Sequence, residues 1–323
     1  MTRQSVIYEQ KDADIAYWRQ DGYWVYSSGG IGRGLIIGVE SKSVTNSIQY
    51  ISIATTGNAA VFGNLTNADN ILLNVPAAFS SVTKGFRAGC GSGTTHSNVI
   101  EYVTIVNLGN ATDFGDLTQA RGYATGVSNT TRGVILGGYT TADVNTIDYA
   151  ELSTAGNAVD FGDLSSASYG YDNGCNSTTR GIGMGCSTSP YSAIDYIEIA
   201  TTGNSTSFGT LSVGRNGGAG CSSSTRGICM SGAADGSYYN VIDYVTMATT
   251  GNATDFGDTL NSVIASAGIS SLTRGIAAGG GPTAVNTIQY VTISSTGNAT
   301  DFGDMIATRR NISGTSDCHG GLA

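Results

Sequence analysis

The chain has 323 residues, with 15 Lys and Arg against 24 Asp and Glu, a formal net charge of −9 and a pI near 4.5. Charged residues make up only 12% while Gly numbers 47, so the surface must be built largely from Ser, Thr, Asn and Gly. The few cations are scattered and offer no basic stripe for a phosphate backbone, which argues against a nucleic-acid partner.

Taken in order, the N-terminal MTRQSVIYEQKDADIAYW lacks the apolar core of a secretory signal, and no apolar run approaches membrane-spanning length. The expectation is a protein with neither a Sec-type address nor membrane insertion. From there six copies of one pattern follow. A TRG-like start falls at Arg33, Lys84, Arg132, Arg180, Arg226 and Arg274, and an Ile-x-Tyr at Tyr50, Tyr102, Tyr149, Tyr196, Tyr244 and Tyr290. A Gly-Asn turn follows at Asn58, Asn110, Asn157, Asn204, Asn252 and Asn298. Each copy closes on Phe62, Phe114, Phe161, Phe208, Phe256 or Phe302, six of the eight Phe, at steps of 52, 47, 47, 48 and 46 residues. A period of this size signals a propeller or solenoid, and an array running end to end argues for one domain over 1–323.

Each copy reads as four strands. The first is made of small residues (GYATGVSN from Gly122, NGGAGCSS from Asn216), which suits a crowded innermost position. The second is an apolar run such as RGVILGG, ended by glycines. The third, NTIDYAEL, alternates apolar and polar residues like a strand with one buried face. The fourth carries DFGDL, and Thr-Gly-Asn-Ala-Thr supplies the turn between third and fourth, where Asn can bond its own following amide. The expectation is an all-β fold of four-stranded antiparallel blades at approximately 22–65, 69–117, 121–164, 168–211, 215–260 and 263–305. The remnants complete a seventh blade. Residues 306–323 read as a first strand and the start of a second at His319-Gly320, and residues 1–19 as a third and a fourth with Tyr8 and Trp18 in the Tyr and Phe slots. Six blades is the alternative. Such closure removes free sheet edges.

The glycines after the second strand, the Tyr of the third and the aromatic before a Leu in the fourth resemble the kelch repeat of kelch and galactose-oxidase-like propellers. The repeat seen here as NVIDYVTMATTGNATDFGD from Asn240 is similar to repeats of virion proteins of marine tailed bacteriophages. The resemblance implies a non-enzymatic virion component, mounted on a tail fibre, neck or capsid in several copies. Its partners would be another virion protein or a host-surface glycan. A cellular kelch-type interaction module is the alternative.

Chemistry-bearing residues are few. With only His96 and His319, a Ser-His-Asp triad or multi-His metal site lacks material, and no cofactor or metal is expected. A polysaccharide hydrolase would need converging carboxylates, and the acids sit mostly in repeated turns. DFGD pairs such as Asp113 with Asp116, or Asp301 with Asp304, read as turn and surface acids before Ca²⁺ ligands, because Ser207 and Thr210 replace them in the fourth copy. Asn-x-Ser/Thr at Asn110, Asn204, Asn252 and Asn298 reads as turn chemistry, and GGIGRG at 29–34 as a hairpin turn. The six cysteines read as small packing residues; Cys221 and Cys229 are the one pair placed to face each other across a hairpin. The loops after the second strand differ in every copy, the mark of a variable face on a rigid scaffold. Tyr139, Tyr191, Tyr238 and Tyr239, with His96, are therefore the candidate partner-binding residues.

Overall fold

The computed structural model describes residues 9–10, 16–20, 23–26, 30–40, 46–66, 75–92, 95–169 and 173–323. The fold is all-β. Three strands, β1 (Glu9–Gln10), β2 (Ala16–Gln20) and β3 (Tyr23–Tyr26), pair antiparallel with one another. Next come β4 (Arg33–Glu40), β5 (Ser47–Ser52) and β6 (Ala60–Asn64). Four antiparallel four-stranded sheets follow. They are β7 (Ala77–Ser80), β8 (Lys84–Ser92), β9 (Thr95–Thr104) and β10 (Thr112–Asp116); then β11 (Thr125–Ser128), β12 (Arg132–Tyr139), β13 (Asp143–Glu151) and β14 (Val159–Asp163). The next two are β15 (Asn173–Asn176), β16 (Arg180–Met184), β17 (Ala193–Glu198) and β18 (Thr206–Thr210), then β19 (Ala219–Ser222), β20 (Arg226–Ala234), β21 (Ser237–Thr246) and β22 (Thr254–Asp258). A last sheet has the order β23 (Ala267–Ser270), β24 (Arg274–Ala278), β25 (Val285–Thr292), β26 (Thr300–Ser316), β4, β5, β6. Here β26 serves twice: Thr300–Asp304 pairs with β25, and Ile312–Ser316 with β4.

The chain ends therefore meet differently from the sequence expectation. Residues 306–316 complete the sheet of β4–β6 instead of sharing a further sheet with 1–19, and β3 pairs with β2 instead of β4. Trp18 stands on β2, and Tyr8 lies outside the described residues. The physical reason is room. The first strands lie against one another, β7 to β11 to β15 to β19 to β23, and β26 lies against both β23 and β7. A Cβ added at Gly126 would stand 2.2 Å from the carbonyl oxygen of Ala78, and one at Gly314 would stand 2.4 Å from that of Gly268. Ile-Ser-Gly-Thr-Ser fits such backbone-on-backbone contact, whereas Tyr-Trp-Val-Tyr of β3 is too bulky. The reading of the first strands as crowded holds.

His319-Gly320 starts no strand. Gly320–Leu322 form a 3-10 turn, buried against the ends of the first strands: a Cβ on Gly320 would meet the Ser223 carbonyl, and one on Gly321 that of Ser128. Those ends are linked in turn. The Ser80 amide donates to Ser128 Oγ, the Ser128 amide to Asn176 Oδ1, the Asn176 amide to Ser222 Oγ and the Ser222 amide to Ser270 Oγ. Ser316 Oγ donates to the Ser270 carbonyl, and Ser80 Oγ to that of Ser316. His319 is seated among them. Its Nδ1 accepts the Gly321 amide, so the neutral ring carries its proton on Nε2, which lies 3.0 Å from Ser80 Oγ. Burial lowers its pKa to about 4. The Gly-rich stretch GGIGRG also finds a use, since the amides of Ile31 and Arg33 donate to the buried Asp317 carboxylate.

Each repeat builds a three-tier stack. The six slot Phe are 2–3% exposed. Each meets the Tyr of its own third strand edge-on at 5.9–6.1 Å. The Arg or Lys that opens the second strand covers that Tyr at 4.6–4.9 Å. Several of these Arg also reach the next sheet: Arg132 Nη1 donates to the Ala200 carbonyl, Arg180 to Ala248 and Arg274 to Ile53.

The middle residue of Ile-x-Tyr departs from the expected alternation. Gln49, Glu101, Asp148, Asp195, Asp243 and Gln289 are buried, because neighbouring sheets cover both faces. Each accepts a backbone amide from the preceding sheet's outgoing segment, those of Thr66, Thr118, Ser165, Ser212 and Leu260 for the last five and that of Ile306 for Gln49, at 2.6–3.2 Å. Three also face buried guanidinium groups, in the pairs Arg87–Glu101, Arg121–Asp148 and Arg215–Asp243. The turn asparagines likewise act between sheets and not on their own following amide. Asn110, Asn157, Asn204, Asn252 and Asn298 accept the amides of Asn64, Asp116, Asp163, Thr210 and Asp258, and Asn58 accepts that of Asp304.

Cys221 and Cys229 are unbonded. Cys221 is opposite Ile228 and Cys229 opposite Gly220, so the two thiols point to opposite faces of the hairpin and into different cores. Burial pushes their pKa values up to about 12 and about 11.

Candidate functional site

The loops between second and third strands bring two of the candidate residues together, and the connections between sheets add two that the sequence reading passed over. Tyr139 ends β12, and its amide and carbonyl bridge those of Gly122 in the connection from the previous sheet. That bridge sets Tyr123 beside Tyr139, with ring centroids 6.5 Å apart. Tyr169, in the connection leading to β15, lies 5.7 Å from Tyr123 and 5.6 Å from Tyr139. His96, on β9, lies 6.0 Å from Tyr139 and extends the patch to a third sheet. Tyr123, Tyr139 and His96 are half-buried, and Tyr169 is exposed.

The patch is held from below. Tyr123 has φ of 54° and donates its amide to the Val75 carbonyl; a tyrosine in the left-handed region stays there only when its surroundings impose it. Under Tyr169, Ser187 Oγ donates to Asp143 Oδ2 at 2.5 Å and also accepts the Tyr169 amide, while Ser168 Oγ donates to the Tyr169 carbonyl. Tyr139 Oη donates to the Thr141 carbonyl. Buried His96 Nε2 has no hydrogen-bond partner among the described residues.

Tyr191, Tyr238 and Tyr239 belong to other loops than the Tyr123–Tyr139–Tyr169 triad, Tyr191 being near enough to Tyr169 to feel its charge. Tyr191, also at positive φ (61°), donates its hydroxyl to Asp235 Oδ1 at 2.7 Å, a bond that raises its pKa and ties the β16–β17 loop to the β20–β21 turn. Tyr238 and Tyr239 stand on that hairpin opposite Ala233 and Gly232, Tyr238 being 40% exposed. Among the described residues no ring contact joins these three to the triad. Tyr123 was missed because GYATGVSN reads as first-strand material of small residues, and Tyr169 because it lies in a connection outside the variable loops. Aligning the copies puts an aromatic residue in adjacent slots of two successive connections, and that was the available signal.

Among the described residues no group of three or more His, Cys, Asp or Glu is placed to hold a metal ion, and no helix is long and apolar enough to cross a membrane. Compared with models of known protein families and with curated proteins, the chain matches none.

Proposed function

We propose that the chain is a six-bladed β-propeller that recognises a glycan through the Tyr123–Tyr139–Tyr169 patch, without turnover, as a component of a phage virion. Four kinds of contact support the propeller. The first strands, the turn asparagines, the Ile-x-Tyr middle residues and the Arg/Tyr/Phe stacks each recur six times, and the first three link each sheet to the next until β26 and Gln49 return to the start. Closure then comes from one strand at the C-terminal end, Ile312–Ser316, joined to three near the N-terminal end, a six-bladed arrangement in place of the seven-bladed one.

The observation that carries recognition is the patch itself: three tyrosines, Tyr139 at the edge of a variable loop and Tyr123 and Tyr169 in the connections between sheets, touching, partly exposed, with one held at positive φ. Aromatic faces stack on the apolar faces of sugar rings and cost little conformational entropy to order. Binding in preference to catalysis is supported by the buried acids, which are occupied in joining sheets. The virion setting rests on the similarity of the repeat to phage virion proteins. A glycan array probed with the purified protein and with Tyr169→Ala is the test. Wild-type binding that falls at least tenfold in the variant, with an unchanged melting temperature, is expected. Binding that ignores Tyr169 and Tyr139 substitutions overturns the reading.

A further inference from the structure

Resting on that reading, we infer that the patch selects uncharged glycans and discriminates against sugars bearing carboxylate, sulfate or phosphate. Three observations lead there. The first is ring spacing. With centroids 5.6–6.5 Å apart the three tyrosines are in mutual contact, so no hole remains between them for a cation to enter as in an aromatic cage. Their planes are tilted 52–80° from one another, so the ring that stands exposed, Tyr169, offers a single aromatic face, and one such face fits the flat C–H face of a pyranose.

The second is local charge. The described residues of the loops around the patch, 140–143, 165–169, 185–192 and 234–237, contain two acids, Asp143 and Asp235, and no Lys or Arg. Arg121, the cation nearest in sequence to Tyr123, is fully buried and committed to Asp148 and the Gly137 carbonyl. Among the described residues of these loops an anionic ligand would find no guanidinium fork or ammonium to neutralise it. The third is the field of the whole chain, whose net charge of −9 opposes the approach of an anion.

Carboxylates on the loops around the patch lower the affinity of an anion there by roughly tenfold at modest ionic strength, an effect that salt screens. The experiment uses the full chain and matched oligosaccharide pairs of identical backbone, one neutral and one carrying a uronate or sialic acid. Titrations are run at low and high salt for wild type and Asp235→Asn. The expected result is a neutral ligand favoured about tenfold, with the preference shrinking as salt rises and narrowing severalfold in Asp235→Asn. Equal or tighter binding of the acidic partner overturns this inference while leaving glycan recognition standing. Failure of both partners, together with indifference to Tyr169→Ala, removes glycan recognition and the selectivity with it.

Discussion

At the scale of single residues, burial and close approach set the roles. Asp148 is fully buried and answers both the Thr118 amide and the Arg121 guanidinium, so Asp148→Ala strands a buried cation. Removing one partner of such a pair costs about 3–5 kcal/mol, and chemical denaturation should read a loss of that size. Glycines divide by surroundings. Gly268→Ala would place a Cβ 2.2 Å from the Gly220 carbonyl, whereas Gly57→Ala meets nothing within 4 Å. Melting curves should show the first destabilised by at least about 1–3 kcal/mol and the second unchanged to within about 0.5 kcal/mol. Gly268 was legible in the sequence as a small residue in an innermost slot. The buried role of Asp148 was not, because a strand covered on both faces breaks the period-2 pattern from which a solvent-facing aspartate is inferred.

At the scale of elements, the repeated stack and the terminal turn behave differently. Phe161 is 3% exposed and closes its Arg/Tyr/Phe tier, so Phe161→Ala should cost about 3–5 kcal/mol in a denaturant titration with the patch intact. These stacks were visible as recurring Phe and Tyr, although the cation lying over each Tyr was not read from the TRG-like start. The terminal turn was misread, since His319-Gly320 resembles Arg-Gly in sequence while its surroundings are six strand ends and no sheet edge. Burial lowers the His319 pKa to about 4, and protonation at Nδ1 would take away the acceptor of the Gly321 amide. A lowered folded-state value means stability present above the ordinary value near 6.5 and lost as pH falls toward 4, roughly 3 kcal/mol over that window. Asp317, whose carboxyl burial raises, acts in the opposite sense: its contribution is lost as pH climbs through the raised value. Comparing denaturation midpoints of wild type and His319→Gln from pH 7 to 4 isolates the histidine. The variant should show a clearly flatter profile, and parallel profiles would refute the role.

At the scale of the whole molecule, the period of 46 to 52 residues announced repeated sheets before any contact was known, because each sheet needs its own aromatic core. What the period could not give was the pairing at the ends. The segments 9–26 and 306–316 both look like strand material, and the choice between them rests on backbone approach between first strands, which only small residues permit. The proposed ring of six blades gives the aromatic patch a rigid base, because its three tyrosines stand on or between neighbouring sheets whose relative positions the asparagine and Ile-x-Tyr bonds fix. The most direct measurement of that ring is the set of cross-strand nuclear Overhauser contacts of residues 34–38 in solution. Contacts from Ile36 to Gly314 and from Ile37 to Ser313, with Gly314 also near Gly268, are what the account predicts. Contacts of residues 34–38 to Tyr23–Tyr26 in place of Ile312–Ser316 would contradict it.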